Sequence, residues 1–72
     1  MPRPPSRQLA DLLRAQITSG ELAAGRRLPS IVDLATEYHV TTGTVQKALR
    51  ILKGEGLIIS VPSYGTFVAE NT

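Results

Sequence analysis

Gly43, Gln46, Lys47 and Arg50 recur at helical spacing and form one side of a predicted helix, a side that is small, polar and basic and carries no acid. A glutamine amide offers one donor and one acceptor, the pair that matches the major-groove edge of adenine. Gln46 is therefore the candidate for reading a base. Lys47 and Arg50 are candidates for phosphate oxygens, with Arg50 reaching a base as the lesser option. Gly43 has no side chain and permits close approach to a base or to backbone. Thr41, Thr42 and Thr44 stand at the start of the same helix. Their hydroxyls and the free amides of the first turn suit a phosphate, aided by the positive end of the helix dipole. Thr41 is also the expected cap. On the opposite side, Val45, Ala48, Leu49 and Leu52 fall at i, i+3, i+4 and i+7 and make an apolar stripe. A helix held by one face and offering Gln, Lys and Arg on the other is suited to a DNA major groove.

Other chemistries find little support. The chain has no cysteine, which excludes disulfides and thiolate metal sites. His39 is the single histidine, so no histidine-rich metal site can form, and we read it as a turn residue. The 6 acidic residues fall singly, and no Ser or Thr sits in a nucleophile motif. Gly54-Glu55-Gly56 lacks the spacing and the strand-before-helix context of a phosphate loop. No catalytic residue, metal or cofactor is expected. No apolar run approaches the ~18 residues of a membrane span, and no signal-peptide pattern is present. The expectation is a cytoplasmic, nucleoid-associated protein with no membrane partner. A net charge of +2 agrees with a polyanionic partner without demanding one.

The elements that must position these residues follow from the pattern. A chain of 72 residues is one domain, and at that size it buries only about 60% of the surface its unfolded chain exposes. Residues 1–5, MPRPP, are expected as a loose arm unable to start a helix, with Arg3 and Arg7 within reach of phosphate. A first helix is predicted over residues 6–19, capped by Ser6, with Leu9, Leu12, Leu13 and Ile17 buried and Gly20 as its stop. Leu22 anchors the returning chain. Leu28, before Pro29, is biased to extended geometry and is expected to form a brief strand beside a later hairpin. Arg26 and Arg27 could help DNA binding through charge, with a solvated surface as the default reading.

Ser30 starts a second, short helix, with Asp33 three residues on as in a capping box, and Ile31, Leu34, Ala35 and Tyr38 make its stripe. His39 occupies the left-handed position of the turn, and Val40 plugs the space between the helices. The third helix runs from the Thr41 cap to Glu55, with Gly56 as its stop, and Gly54 weakens the last turn by about 1 kcal/mol relative to Ala. Residues 57–61 read as a strand, 62–65 as a turn and 66–68 as the return strand. A two-stranded hairpin is not stable alone, so Phe67 and its neighbours are expected to pack on the helices. The order of helix, short strand, helix, helix and hairpin predicts a mainly α winged helix-turn-helix: three helices plus a two- to three-stranded antiparallel wing. The domain is expected over residues 6–69, with a tail at 70–72.

The segments LRAQITSGELAAGRRLPS (13–30), DLATEYHVTTGTVQKALRILKGEGLI (33–58) and YGTFV (64–68) together resemble the DNA-binding domain of GntR-family bacterial transcription regulators. The resemblance implies sequence-specific binding of double-stranded DNA, with residues 41–55 in the major groove and the wing, residues 61–66, at the minor groove. Ser30 is a candidate for a flanking phosphate, although capping alone explains it, and Ser63, Tyr64, Gly65 and Thr66 are candidates for the wing contact, with Tyr64 equally readable as an exposed turn residue. Two copies are expected on a two-fold related site, as a homodimer or a cooperative pair. The chain is either a free-standing protein, which its length favours, or the N-terminal piece of a regulator with a C-terminal effector domain. The departures from the family pattern concern contact residues. Val32 and Thr42 stand where family members usually carry arginine, Gln46 ends the word that usually reads TVR, and Val61, Ser63 and Tyr64 replace basic wing residues. Base preferences are therefore expected to differ from the family's. Two other readings remain: an architectural, excisionase-like accessory factor, work that suits a small winged domain, or a protein-interaction winged helix that has lost DNA binding, which the missing arginines would fit.

Overall fold

A computed structural model describes residues 5–70, and Arg3, with the rest of 1–4 and 71–72, lies outside the described residues. The first helix, α1 (Pro5–Ser19), is helical from Pro5. This corrects the expectation that residues 1–5 cannot start a helix and that Ser6 caps it. Proline suits the first turn, because the amide it lacks has no partner there anyway and its φ is already helical. The buried side of α1 is Leu9, Ala10 and Leu13, with Ile17 packed beside them. Leu12, expected in the core, is 51% exposed. At about 100° per residue the four packed positions share one sector, and Leu12 falls about 60° outside it.

The second helix, α2 (Ile31–Tyr38), is capped by Ser30, whose Oγ accepts from the Asp33 amide at 3.1 Å. It ends at His39, which takes φ 56 and ψ 45, the left-handed geometry the turn required. The third helix, α3 (Thr42–Gly54), starts from an extended Thr41 whose Oγ1 accepts from the Thr44 amide at 3.2 Å. The chain turns out of it at Gly56, with φ 78. Val45, Ala48 and Leu52 are wholly buried, so α3 runs through the centre of the core. Around it lie Leu9, Ala10, Leu13, Leu28, Leu34, Ile58 and Val68.

The hairpin pairs β1 (Ile58–Val61) with β2 (Gly65–Val68) antiparallel, in the register Ile58↔Val68, Ile59↔Phe67, Ser60↔Thr66 and Val61↔Gly65. Side chains alternate between faces, so Ile58 and Val68 point together into the core while Ile59 and Phe67 share the other face. Phe67 is therefore only half-buried and is not the anchor it was expected to be. The extended segment before α2 adds to the sheet as a bridge, Arg27↔Phe67. Around that bridge the Leu28 amide donates to Thr66 O at 2.8 Å, and the Val68 amide donates to Arg26 O at 2.8 Å. The result is the expected winged helix-turn-helix, with a two-stranded wing and one bridging residue rather than a full third strand.

Polar contacts lock the far end of the domain. Arg14 donates from Nε and Nη2 to both carboxylate oxygens of Glu55, at 2.7 and 2.6 Å, and from Nη1 to Asp11 Oδ1 at 2.6 Å. This fork ties α1 to the end of α3. It holds the Glu55 carboxyl below the ordinary glutamate range and raises the Arg14 guanidinium further. Gln16 Nε2 donates to the Tyr38 hydroxyl at 3.1 Å, joining α1 to α2.

Candidate nucleic-acid interface

The exposed side of α3 faces the wing across a cleft. Gln46, Arg50 and Lys53 line its helical wall, Ser60 and Thr66 line the hairpin wall, and Ile31, Leu49 and Ile58 also border it. The sequence dictates both walls. Gln46, Arg50 and Lys53 stand at i, i+4 and i+7, one row along a helix, and Ser60 and Thr66 are directly opposed in the hairpin register. No carboxylate lines the cleft. Gly43 and Lys47 are exposed on α3 but do not line it, so the four residues of the predicted face divide into a cleft-facing pair, Gln46 and Arg50, and an outlying pair, Gly43 and Lys47.

Lys53 was missed by the sequence reading, although continuing the Gln46–Arg50 row by three residues finds it. Arg27 is exposed, as the solvated-surface reading expects, and its place relative to the wing is added by the structure. A Cβ placed on Gly65, at φ 115, would lie 2.9 Å from Arg27 Nε, so the arginine lies directly across the base of the wing. Arg27, Ser30, Gly65 and Thr66 border one hollow between the start of α2 and the hairpin. Nothing local in the sequence marks Arg27, because its neighbour lies 38 positions along the chain and is met only through the 27↔67 bridge. Gly65 is favoured by its positive φ, whereas the arginine above it is a flexible side chain that could shift to admit a Cβ.

The remaining predicted residues fall into two further places. Thr41 and Thr42 border a shallow hollow with Val32, Thr36 and His39. Thr41 Oγ1 and Thr44 Oγ1 lie 3.1 Å apart, so the helix start presents a pair of linked hydroxyls. A Cβ on Gly43 would meet only Thr41 Oγ1, at 3.9 Å, so protein packing does not demand glycine there. At the wing tip Ser63 takes φ 70 and the Tyr64 amide donates to Val61 O at 3.0 Å. Tyr64 is 69% exposed and borders the outer face of the hairpin, with Ile59, Val61 and Phe67, rather than the cleft. The structure thus brings Gln46, Arg50 and Thr66 together, and Ser30 with Gly65 and Thr66, while Lys47, Ser63 and Tyr64 stand outside these groups.

Arg27, Lys47, Arg50 and Lys53 form no ion pair with any described residue, in contrast to Arg14. Among the described residues no helix is long and apolar enough to cross a membrane, and no group of three His, Asp or Glu gathers to hold a metal ion.

Residues 5–68 match the model of the family described as bacterial regulatory proteins, gntR family. The chain is 43% identical over 68 residues to the mannosyl-D-glycerate transport/metabolism system repressor MngR of Escherichia coli, covering 94% of this chain and 28% of that protein. It is 36% identical over 63 residues to the transcriptional repressor NagR of Bacillus subtilis, covering 88% of this chain and 26% of that protein. The chain therefore spans about a quarter of the length of these relatives. Its fold is similar to that of the AraR DNA-binding domain in complex with operator ORR3, with a TM-score of 0.91 and 29% identity over 96% of this chain and 83% of that one.

Proposed function

This chain belongs to the gntR family of bacterial regulatory proteins and has the fold of its DNA-binding domains, and on that premise we propose how it engages double-stranded DNA to regulate transcription. The exposed row of α3 enters the major groove and the wing lies at the adjacent minor groove. Gln46 reads a base edge, most naturally adenine. Lys47 and Arg50 hold phosphates, joined by Lys53 from the same row and Arg27 from the base of the wing. Thr41, Thr42 and Thr44 bind phosphate at the start of α3, and Ser30 does so at the start of α2. Gly43 lets the duplex come close. Ser63, Tyr64, Gly65 and Thr66 make the wing contact.

One observation carries this reading: the α3 row and the wing enclose a cleft with free cations and no carboxylate. Four unneutralised cations around one helix and its wing present a positive potential that complements a polyanion such as duplex DNA. A single small domain contacts few bases, so two copies occupy a two-fold related site. Pairing comes from cooperative binding on DNA, or from a further domain such as its much longer relatives have length for.

Selection of bound sequences from a random duplex pool tests the proposal. A recovered symmetric motif is expected. Affinity for it should fall steeply with salt, with a slope of about −0.9 per phosphate neutralised. Absence of duplex binding even at low salt would refute the proposal, and phased tandem sites with bending would point to an architectural role instead.

A further inference from the structure

Val32 is an apolar side chain left in solvent beside the start of the recognition helix. It is 64% exposed, on the first turn of α2. The other exposed large hydrophobic residues among those described lie elsewhere: Leu12 on α1, and Ile59 and Tyr64 at the outer side of the wing. Val32 borders the hollow that holds Thr41 and Thr42, the first residues of α3. Its neighbours there are Ala35, Thr36, His39, Val40, Thr41 and Thr42, so among the described residues no carboxylate borders the hollow. Its neighbour Asp33 borders a different hollow, with Arg27 and Ser30.

We infer that Val32 reads a thymine through its C5-methyl group, with the Thr42 methyl beside it. The inference rests on the proposed docking of α3 in the major groove. There the thymine methyl is the one apolar group a base pair presents, and a short apolar side chain is its natural partner. An arginine at this position would select guanine. A valine has neither donor nor acceptor and gains only by removing apolar surface from water. Together with Gln46, which pairs with adenine, it makes the half-site an A·T-reading surface on two adjacent helices. The surface is continuous, because Val32 and Thr42 share a hollow and Thr42 begins the helix that carries Gln46.

The test measures affinity by fluorescence anisotropy for the duplex selected from an unmodified pool, and for versions in which each thymine in turn is replaced by deoxyuridine. That replacement removes one methyl group and leaves every hydrogen bond in place. One replacement per half-site should weaken the wild-type chain about fourfold, the worth of one buried methyl group. Val32→Ala, at an exposed position, leaves the fold intact and should bind the thymine and deoxyuridine duplexes nearly equally. Gln46→Ala should keep the methyl effect. A duplex that binds well with no sensitive thymine overturns the inference alone, and so does a methyl effect of unchanged size in Val32→Ala. A chain that binds no duplex at low salt overturns the DNA-binding reading and this inference with it.

Discussion

Two sides of α3 use charge in opposite ways. At its C-terminal end Glu55 is gripped by the Arg14 fork, which also takes Asp11, so cation and carboxylates satisfy one another within the domain. Along its exposed row Arg50 and Lys53 face a cleft with no acid, and Arg27 lies unpaired over the wing. The residue types are the same; their surroundings decide the role. A neutralised arginine fastens helices, whereas an unneutralised one leaves a local positive potential for a polyanion.

The largest effect that sharpens this contrast is expected from Arg50→Glu. It places an acid in the cleft and should lower duplex affinity about 100-fold or more, since it removes a phosphate or base contact and adds repulsion. The melting temperature should barely move, because Arg50 is exposed and unpaired. A large drop in melting temperature would instead make Arg50 a structural residue like Arg14.

Gln46→Ala and Lys47→Ala divide the exposed row further. Gln46→Ala should change which base is preferred at one position, at a cost of about 1–3 kcal/mol for the best site. Lys47→Ala should weaken all duplexes alike and reduce the salt slope by about 1. Equal effects of the two on every sequence would erase the division that the cleft lining suggests.

Gly65→Ala probes the base of the wing. Alanine at φ 115 with a Cβ 2.9 Å from Arg27 Nε is strained even after the arginine moves aside, and a loss of about 1–2 kcal/mol in unfolding free energy is expected. Pairing the change with Arg27→Ala should recover the part due to the clash and leave the part due to the backbone.

The smallest effect belongs to the satisfied end. Because Arg14 lowers the Glu55 pKa in the folded state, the pair contributes stability above the ordinary glutamate pKa and loses it as pH falls through the lowered value. Glu55→Gln should remove that acid-side component of a thermal-melt pH profile while leaving DNA affinity nearly unchanged. The loss should be slight and should fade in high salt, as for exposed ion pairs generally. A marked fall in affinity on Glu55→Gln would mean that the Arg14 fork and the exposed row are coupled.

The features legible in the sequence are those that local physics decides. The α3 stripe of Val45, Ala48 and Leu52, the Ser30 and Thr41 caps, the left-handed His39 and the Gly56 stop all depend on residues within one or two turns. Pro5 was misjudged because its use at a helix start is also local but was read only as a breaker. Leu12 and Phe67 were misjudged because both are apolar, and apolarity alone does not say which side of an element meets the core. The candidate site divides the same way: the Gln46–Arg50 side of α3, and Lys53 as the next step of its row, are legible in the helical period, while the partition of Lys47 from the cleft and the place of Arg27 are not.

By itself the chain determined its helices, their caps and turns, the hairpin and the basic side of α3, because each rests on side-chain period and on backbone preferences within a few residues. Only the tertiary structure decided which side of the hairpin meets the core, which cations face the cleft and what lies over Gly65. Those depend on contacts between segments dozens of residues apart, and their geometry is set by how the elements dock on α3 rather than by any one of them alone.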